Sequence, residues 1–370
     1  MKTDIKHTGT SSILSQEKAT VTSKTDEGSS SEEEPVARCA CFLGTVLPSS
    51  VRPDAMPLEP AEQLARREKG GKPHLNWDFL SSGEIFGREE EIEAIRTTFF
   101  RRITSKTGNG TNEQFHGPEF VLVSGNAGVG KTSLVMTALG ELMKDHRGDL
   151  ICGKFDQLQL PREPYGPFTD ALTDLALSLS ELSSCDLLLL QQRLISCIGV
   201  EGCHSLTNLV PALNVVLGIE EGNVASLKIH DAQKDRFKVA FQRFFEVVCA
   251  ERPVCLVVDD LQWADFGSLD LLESIASRSI RGLFIVGICR SNEVTWHHDF
   301  AGMLRRLEDN NGVCITHIEV DCFSVGTTVT LLSEILRTPP NMCQALAAVI
   351  HRRSEGNCFV MIVLISALYT

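Results

Sequence analysis

Two kinds of apolar pattern divide the chain. In the first, nearly every position is apolar: Phe120-Val121-Leu122-Val123, Val254-Cys255-Leu256-Val257-Val258 and Leu283-Phe284-Ile285-Val286-Gly287-Ile288-Cys289. Runs without alternation predict strands of a parallel sheet covered on both faces. In the second, apolar residues return every three or four positions, which predicts helices. Ile92, Ile95, Phe99 and Ile103 mark one helix. Phe237, Phe241, Phe244, Phe245 and Val248 form the core-facing stripe of a longer one, over about 232–249. Further strands are expected at 149–155 and 313–320, and further helices at 168–182 and 268–277. Residues 183–227, with Leu187-Leu188-Leu189-Leu190 and Leu209-Val210-Pro211-Ala212-Leu213, read as helices separated by loops. After residue 323 the pattern is helical throughout, at 325–336, 341–353 and 359–369, broken by Pro339-Pro340 and Gly356-Asn357.

Polar stretches set the boundaries. Residues 1–80 are rich in Ser, Thr, Pro, Lys and Glu and predict a disordered tail, broken by a short helix near 60–67. Residues 104–118 predict a surface loop, and 161–167 a turn-rich link. The expected organisation is a tail over 1–80, an α/β core over 81–322 with a helical insertion at about 168–250, and a helical lid over 323–370.

The chemistry enters at the end of the first apolar run. Gly125-Asn126-Ala127-Gly128-Val129-Gly130-Lys131-Thr132 fits the pattern G-x-x-x-x-G-K-[ST] between a strand and a helix, which is a phosphate-binding P-loop. Gly125, Gly128 and Gly130 let backbone N–H groups, with those of Asn126, Ala127 and Val129, turn inward around phosphate oxygens. The helix that opens with Lys131, Thr132 and Ser133 adds its positive dipole end. Lys131 can reach the β- and γ-phosphates, and Thr132 offers a hydroxyl to Mg²⁺. The second run ends in Asp259-Asp260, the Walker B pattern. That strand is expected beside the P-loop strand, with Asp259 holding Mg²⁺ and Asp260 orienting or activating the attacking water. The third run ends at Arg290, which either reads the γ-phosphate or lies on the surface. His297-His298 has no partner at metal-ligand spacing and is expected in solvent. Asn109-Gly110-Thr111 matches a glycosylation acceptor, which carries no meaning in a cytosolic chain.

Bulk composition narrows the setting. The 370 residues leave room for two compact units plus tails, and 43% apolar with 22% charged residues is ordinary for a globular protein. A net charge of −13 argues against an obligate nucleic-acid binder. Thirteen cysteines, an odd number without framework spacing, read as reduced thiols, with Cys249, Cys255, Cys289 and Cys314 inside apolar segments. Cys39-Ala40-Cys41 is a lone pair without metal-ligand partners. The N-terminus lacks a secretory apolar stretch, and the run at 359–369 is too short to span a bilayer. A cytoplasmic setting is expected, with the nucleus left open.

With these residues in place, the chain resembles the AAA-type ATPase domain of the STAND signalling ATPases, the origin-recognition-complex-like group. Phe86-Gly87-Arg88-Glu89 is similar to the family's opening motif, whose backbone lies against adenine. Phe155-Asp156-Gln157 through Pro164-Tyr165-Gly166-Pro167-Phe168 is similar to its second strand and helix start. Asp259-Asp260-Leu261-Gln262-Trp263-Ala264-Asp265 closely matches its extended Walker B motif, the most specific part. Cys289-Arg290-Ser291-Asn292-Glu293-Val294 resembles its sensor segment, and Gly356-Asn357-Cys358-Phe359 its G-N-P-F lid motif, with Cys358 where the family has Pro. The segment 209–218 is similar to the subgroup found in hybrid histidine kinases. The resemblance covers about 85–370. It implies a three-layer α/β P-loop sandwich with a parallel sheet and a small helical lid. It also implies ATP and Mg²⁺ as cofactors, and a slowly hydrolysing, nucleotide-dependent switch. A protein partner, or self-association through the ATPase domain, goes with that reading. A remodelling ATPase of the origin-recognition type, a small-molecule P-loop kinase and a scaffold that no longer binds nucleotide remain as alternatives. The chain stops in or just after a lid helix, which fits a fragment of a longer signalling protein or a stand-alone regulator.

Overall fold

The computed structural model describes residues 85–103, 118–157, 164–219 and 231–369. All of them belong to one unit, within Asp54–Thr370. The expected tail, the helix near 60–67, Asn109-Gly110-Thr111 and Cys39-Ala40-Cys41 lie outside the described residues, as do positions 104–117.

The three apolar runs form the centre of a five-stranded sheet of order β2-β3-β4-β1-β5. The strands are β1 (Glu119–Gly125), β2 (Asp149–Lys154), β3 (Val254–Asp259), β4 (Leu283–Arg290) and β5 (Cys314–Glu319). All neighbours are parallel. Burial on both faces explains why the central strands show no polar alternation. In β1, Phe120 and Leu122 point into one core while Val121 and Val123 point into the other. In β3, Val254, Leu256 and Val258 alternate in the same way with Cys255 and Val257.

On one face lie α1 (Glu89–Ile103) and α2 (Lys131–Asp145). Their Ile95, Phe99, Leu134, Val135, Ala138, Leu139, Leu142 and Met143 join the core beneath them. Phe99 meets Phe284 of β4 edge-on, with ring centroids 5.4 Å apart. The other face carries α3 (Gly166–Ser180), α4 (Ser184–Ile198), α5 (Val200–Leu209), α6 (Leu213–Leu217) and α7 (Asp231–Glu251). It also carries α8 (Phe266–Ala276) and α9 (Asp299–Asn311). The phenylalanine stripe of α7 is fully inside, where Phe241 packs edge-on against Phe168 of α3 at 5.9 Å. Helices α4 to α6, the part of the insertion hardest to read from sequence, close over this stripe through Leu190, Leu194, Cys203, Leu206 and Leu213.

The last three helices, α10 (Val325–Leu336), α11 (Pro340–Ser354) and α12 (Cys358–Tyr369), have a small core of their own. Phe323, Leu331, Leu332, Ile335, Cys343, Ala347, Ile350, Met361 and Ile365 build it. Among the described residues no helix is long and apolar enough to cross a membrane.

Three expectations need correction. The Walker B strand β3 is not beside β1, because β4 lies between them. Cys249, Cys255 and Cys289 are buried as expected, but Cys314 is exposed, since β5, among the described residues, has only β1 beside it. His298 is half-buried rather than free in solvent: its Nδ1 accepts a hydrogen bond from Phe300 N at 3.2 Å and caps α9.

Candidate nucleotide-binding site

All five strands run in one direction, so the carboxyl ends of β1, β3 and β4 share a rim, and helices begin there. Ligands in open α/β sheets bind at that rim. Between β1 and α2 the backbone makes a Gly-dependent bend, with φ of +79° at Gly128 and +93° at Gly130. A side chain at Gly125 would run into the Val320 carbonyl. Asn126, Ala127 and Gly128 form the exposed crest of the loop, Val129 is buried in the core beneath, and Ser133 is exposed on the first turn of α2.

Lys131 is buried and folds back over the loop, its Nζ donating to Gly125 O at 3.0 Å and Asn126 O at 2.8 Å. Burial pushes its ammonium below the ordinary lysine value, and the charges of Asp259 and Asp260 work against that shift. Thr132 Oγ1 donates to Asp259 Oδ2 at 2.8 Å. The P-loop and the Walker B strand end therefore meet even though β4 separates their strands.

Asp259 is 3% exposed, and burial raises its carboxyl above the usual range; the neighbouring Asp260 charge adds to the rise. Thr132, Lys154 and the N–H of Asp260 oppose it. Asp260 is in the left-handed region at φ +56°, a conformation an Asp tolerates better than most residues. That turn aims the two carboxylates differently. Asp259 faces Thr132. Asp260 faces a group of polar side chains: Gln262 Nε2 donates to its Oδ1 at 2.8 Å, Arg290 Nε lies 3.3 Å from Oδ1, and Lys154 Nζ lies 3.3 Å from Oδ2.

Arg290 sits at the end of β4 and stacks on Trp263, its guanidinium carbon 4.4 Å from the ring centroid, while pairing with Glu293 at 2.8 Å. Its backbone N–H donates to Gln262 Oε1 at 3.1 Å. In this arrangement its side chain is committed to Asp260, Glu293 and Trp263.

The opening motif lies elsewhere. Phe86 packs against the small core of α10 to α12, and Gly87 has φ +62°. The Arg88 guanidinium is buried, donates to the carbonyls of Asp321 and Val129, and stacks over Phe323 at 4.7 Å. Arg88 thus touches the P-loop from outside.

Two residues of this site were not singled out from sequence. Lys154 pairs in register with Asp259 across β2 and β3, and its ammonium reaches both acids, at 3.8 Å and 3.3 Å. A lysine closing a strand was the only signal, and it gains meaning once the strand order is known. Asn357 was read only as part of a lid motif. Its Nδ2 donates to Ala127 O at 2.7 Å, and the next turn's Phe359 N donates to Gly128 O at 3.0 Å. A Cβ on Gly128 would lie 2.7 Å from Asn357 Oδ1, so this glycine serves a close approach as well as a positive φ. Gly128→Ala is expected to cost about 1–2 kcal/mol in a denaturant titration from the left-handed backbone alone, before any lid displacement.

A glycine cradle whose Cβ positions are occupied or strained, a lysine bent over it and a hydroxyl–carboxylate pair fit the donor set that an Mg²⁺–nucleotide needs. Hard oxygen ligands and few protein donors suit Mg²⁺ completed by phosphate oxygens. Residues 84–286 match the AAA ATPase domain family, and the chain belongs to it. It is a nucleotide-binding ATPase domain. A hybrid signal transduction histidine kinase G of Dictyostelium discoideum is 33% identical over 213 residues, which are 57% of this chain and 6% of that protein. The chain thus spans a small part of that relative. Among solved structures, a STAND protein with a tetratricopeptide repeat sensor from Pyrococcus horikoshii aligns over 74% of this chain and 28% of its own, at 16% identity and a TM-score of 0.34. A Walker-type ATPase of Pyrococcus abyssi aligns over 77% and 72%, at 18% identity and a TM-score of 0.40.

Proposed function

We propose that this domain is a nucleotide-dependent switch of a signal-transduction protein, loaded with MgATP and hydrolysing it slowly. The observation that carries the reading is the 2.8 Å bond from Thr132 Oγ1 to Asp259 Oδ2, which joins at the sheet rim the two groups this reading assigns to Mg²⁺. The signalling assignment draws on the similarity to the hybrid signal transduction histidine kinase. Residues 81–322 would be the ATPase core and 323–370 its lid, with 1–80 as a tail.

In this reading the inward N–H groups of 125–130, Lys131 and the first turn of α2 receive the phosphates. Thr132 and Asp259 would hold Mg²⁺, which would neutralise charge on the phosphates. Asp260 orients the water. Lys154 and Arg290 hold the Asp260 carboxylate in position. Phe86, Gly87 and Arg88 support the pocket from the lid side.

Thr132→Val keeps the shape of the side chain and removes its hydroxyl. Hydrolysis by the variant should need roughly tenfold more Mg²⁺, in line with the loss of a charge-assisted contact of about 1.5 kcal/mol. A titration of initial rate against Mg²⁺ at fixed ATP checks this, and an unchanged midpoint would remove Thr132 from the metal site. ATP-dependent sizing by light scattering separates a switch from a ring-forming remodelling ATPase. An ATP-induced rise in melting temperature separates it from a scaffold that no longer binds nucleotide.

A further inference from the structure

Three consecutive carbonyls of the P-loop are engaged by other parts of the chain, two by the lid and one by Arg88, just before α1. Ala127 O accepts from Asn357 Nδ2 at 2.7 Å, Gly128 O from Phe359 N at 3.0 Å, and Val129 O from Arg88 at 3.5 Å. Arg88 also donates to Asp321 O and stacks on Phe323, in the segment that joins β5 to α10. Asn357 precedes α12, and its Oδ1 accepts from Val360 N at 3.3 Å, so one amide both caps the lid helix and grips the loop.

A peptide unit is planar, with its N–H and C=O pointing in opposite directions. Peptide groups that turn their N–H inward, to where phosphate oxygens belong, therefore turn their carbonyls outward. Here the carbonyls of Ala127 and Gly128 meet the lid, and that of Val129 meets Arg88. Two events then act on the same peptide planes: a phosphate on the inside and Asn357 and Phe359 on the outside. Each orders the planes the other needs.

We propose that Asn357 is a positioning residue for nucleotide binding, coupling lid docking to phosphate occupancy through the peptide groups of 127–129. The coupling is reciprocal, as linkage requires: the docked lid raises nucleotide affinity and bound nucleotide tightens the lid. No side chain of the lid has to touch the nucleotide. This inference rests on the nucleotide-switch reading and names the contact by which such a switch would report its state.

Asn357→Ser tests it. Serine keeps a neutral helix-capping oxygen for Val360 but cannot span to Ala127 O. The protein retaining residues 1–370 is titrated with ATP and Mg²⁺ by calorimetry, and amide exchange over 357–361 is followed with and without nucleotide. The wild type is expected to bind and to show slowed exchange at Phe359 and Met361 when loaded. Asn357→Ser should melt within a few degrees of the wild type without nucleotide, bind about three- to tenfold more weakly, and lose most of the nucleotide-induced protection. Asn357→Ala, which loses the cap as well, should bind no better than the serine variant. Full affinity in a folded Asn357→Ser protein would overturn the proposal while leaving the nucleotide site standing, and so would wild-type exchange at 359–361 that ignores nucleotide. A wild-type protein that binds no ATP would overturn both readings.

Discussion

Replacing Lys131 with alanine is expected to abolish measurable ATP binding while leaving the fold in place. The side chain is 8% exposed, yet its contacts are with the P-loop carbonyls of Gly125 and Asn126 rather than with the hydrophobic core. Truncation therefore removes a buried charge with its two hydrogen bonds and leaves no large apolar cavity. Burial already holds the ammonium below the ordinary lysine value, so an anion placed beside it gains more than it would in water. Charge-assisted hydrogen bonds contribute about 1.5–3 kcal/mol each. Losing two of them to phosphate oxygens would weaken binding by roughly two to four orders of magnitude. Calorimetric titration of the variant at concentrations that saturate the wild type should show no saturable heat, and nucleotide should no longer raise its melting temperature. Unchanged affinity would refute the site, and with it the switch.

The sheet and its layers were legible because burial on both faces leaves a mark that does not depend on context. Val121, Val257 and Val286 had to be apolar whichever core they faced, and the runs that contain them read directly as strands. The α7 stripe was legible for a similar reason, since Phe237, Phe241, Phe244 and Phe245 all turn to one side. Strand order was not. A parallel strand reaches its neighbour through a crossover, and the apolar content of β3 and β4 is too alike to say which of them flanks β1. Strand β3 was expected beside β1 from an arrangement taken as general for P-loop proteins, and the apolar pattern held nothing to correct it.

Site residues split along the same line. The P-loop spacing lies within one continuous stretch, so Lys131 and Thr132 were named from local pattern. Lys154 and Asn357 reach Asp260 and Ala127 at sequence separations no local pattern records. Arg290, which closes an apolar strand, was read either as a γ-phosphate contact or as a surface arginine, and Arg88 as part of an opening motif whose backbone lies against adenine. In the structure the Arg88 side chain meets the Asp321 carbonyl and Phe323, and that of Arg290 meets Asp260 and Trp263. Where an arginine lies along the chain says little about which of several acceptors its long side chain will choose.

The carboxylate those partners hold sets the second large effect. Asp260→Asn should leave ATP affinity within about threefold and slow hydrolysis by roughly two to three orders of magnitude, the range general-base groups supply. Asparagine tolerates the left-handed backbone at φ +56° and can still accept from Gln262 Nε2, so the loop geometry survives. What disappears is the negative charge. Asp259, which faces Thr132, keeps the metal side intact, and that is why binding should persist. Lys154 and Arg290 lie 3.3 Å from the Asp260 oxygens and would lose their common counter-charge, so a small fall in stability without nucleotide is expected as well. Single-turnover hydrolysis of pre-bound ATP measures the chemical step apart from product release. An undiminished rate there would take Asp260 out of the reaction and leave it as the anion that keeps Lys154 and Arg290 paired at the rim.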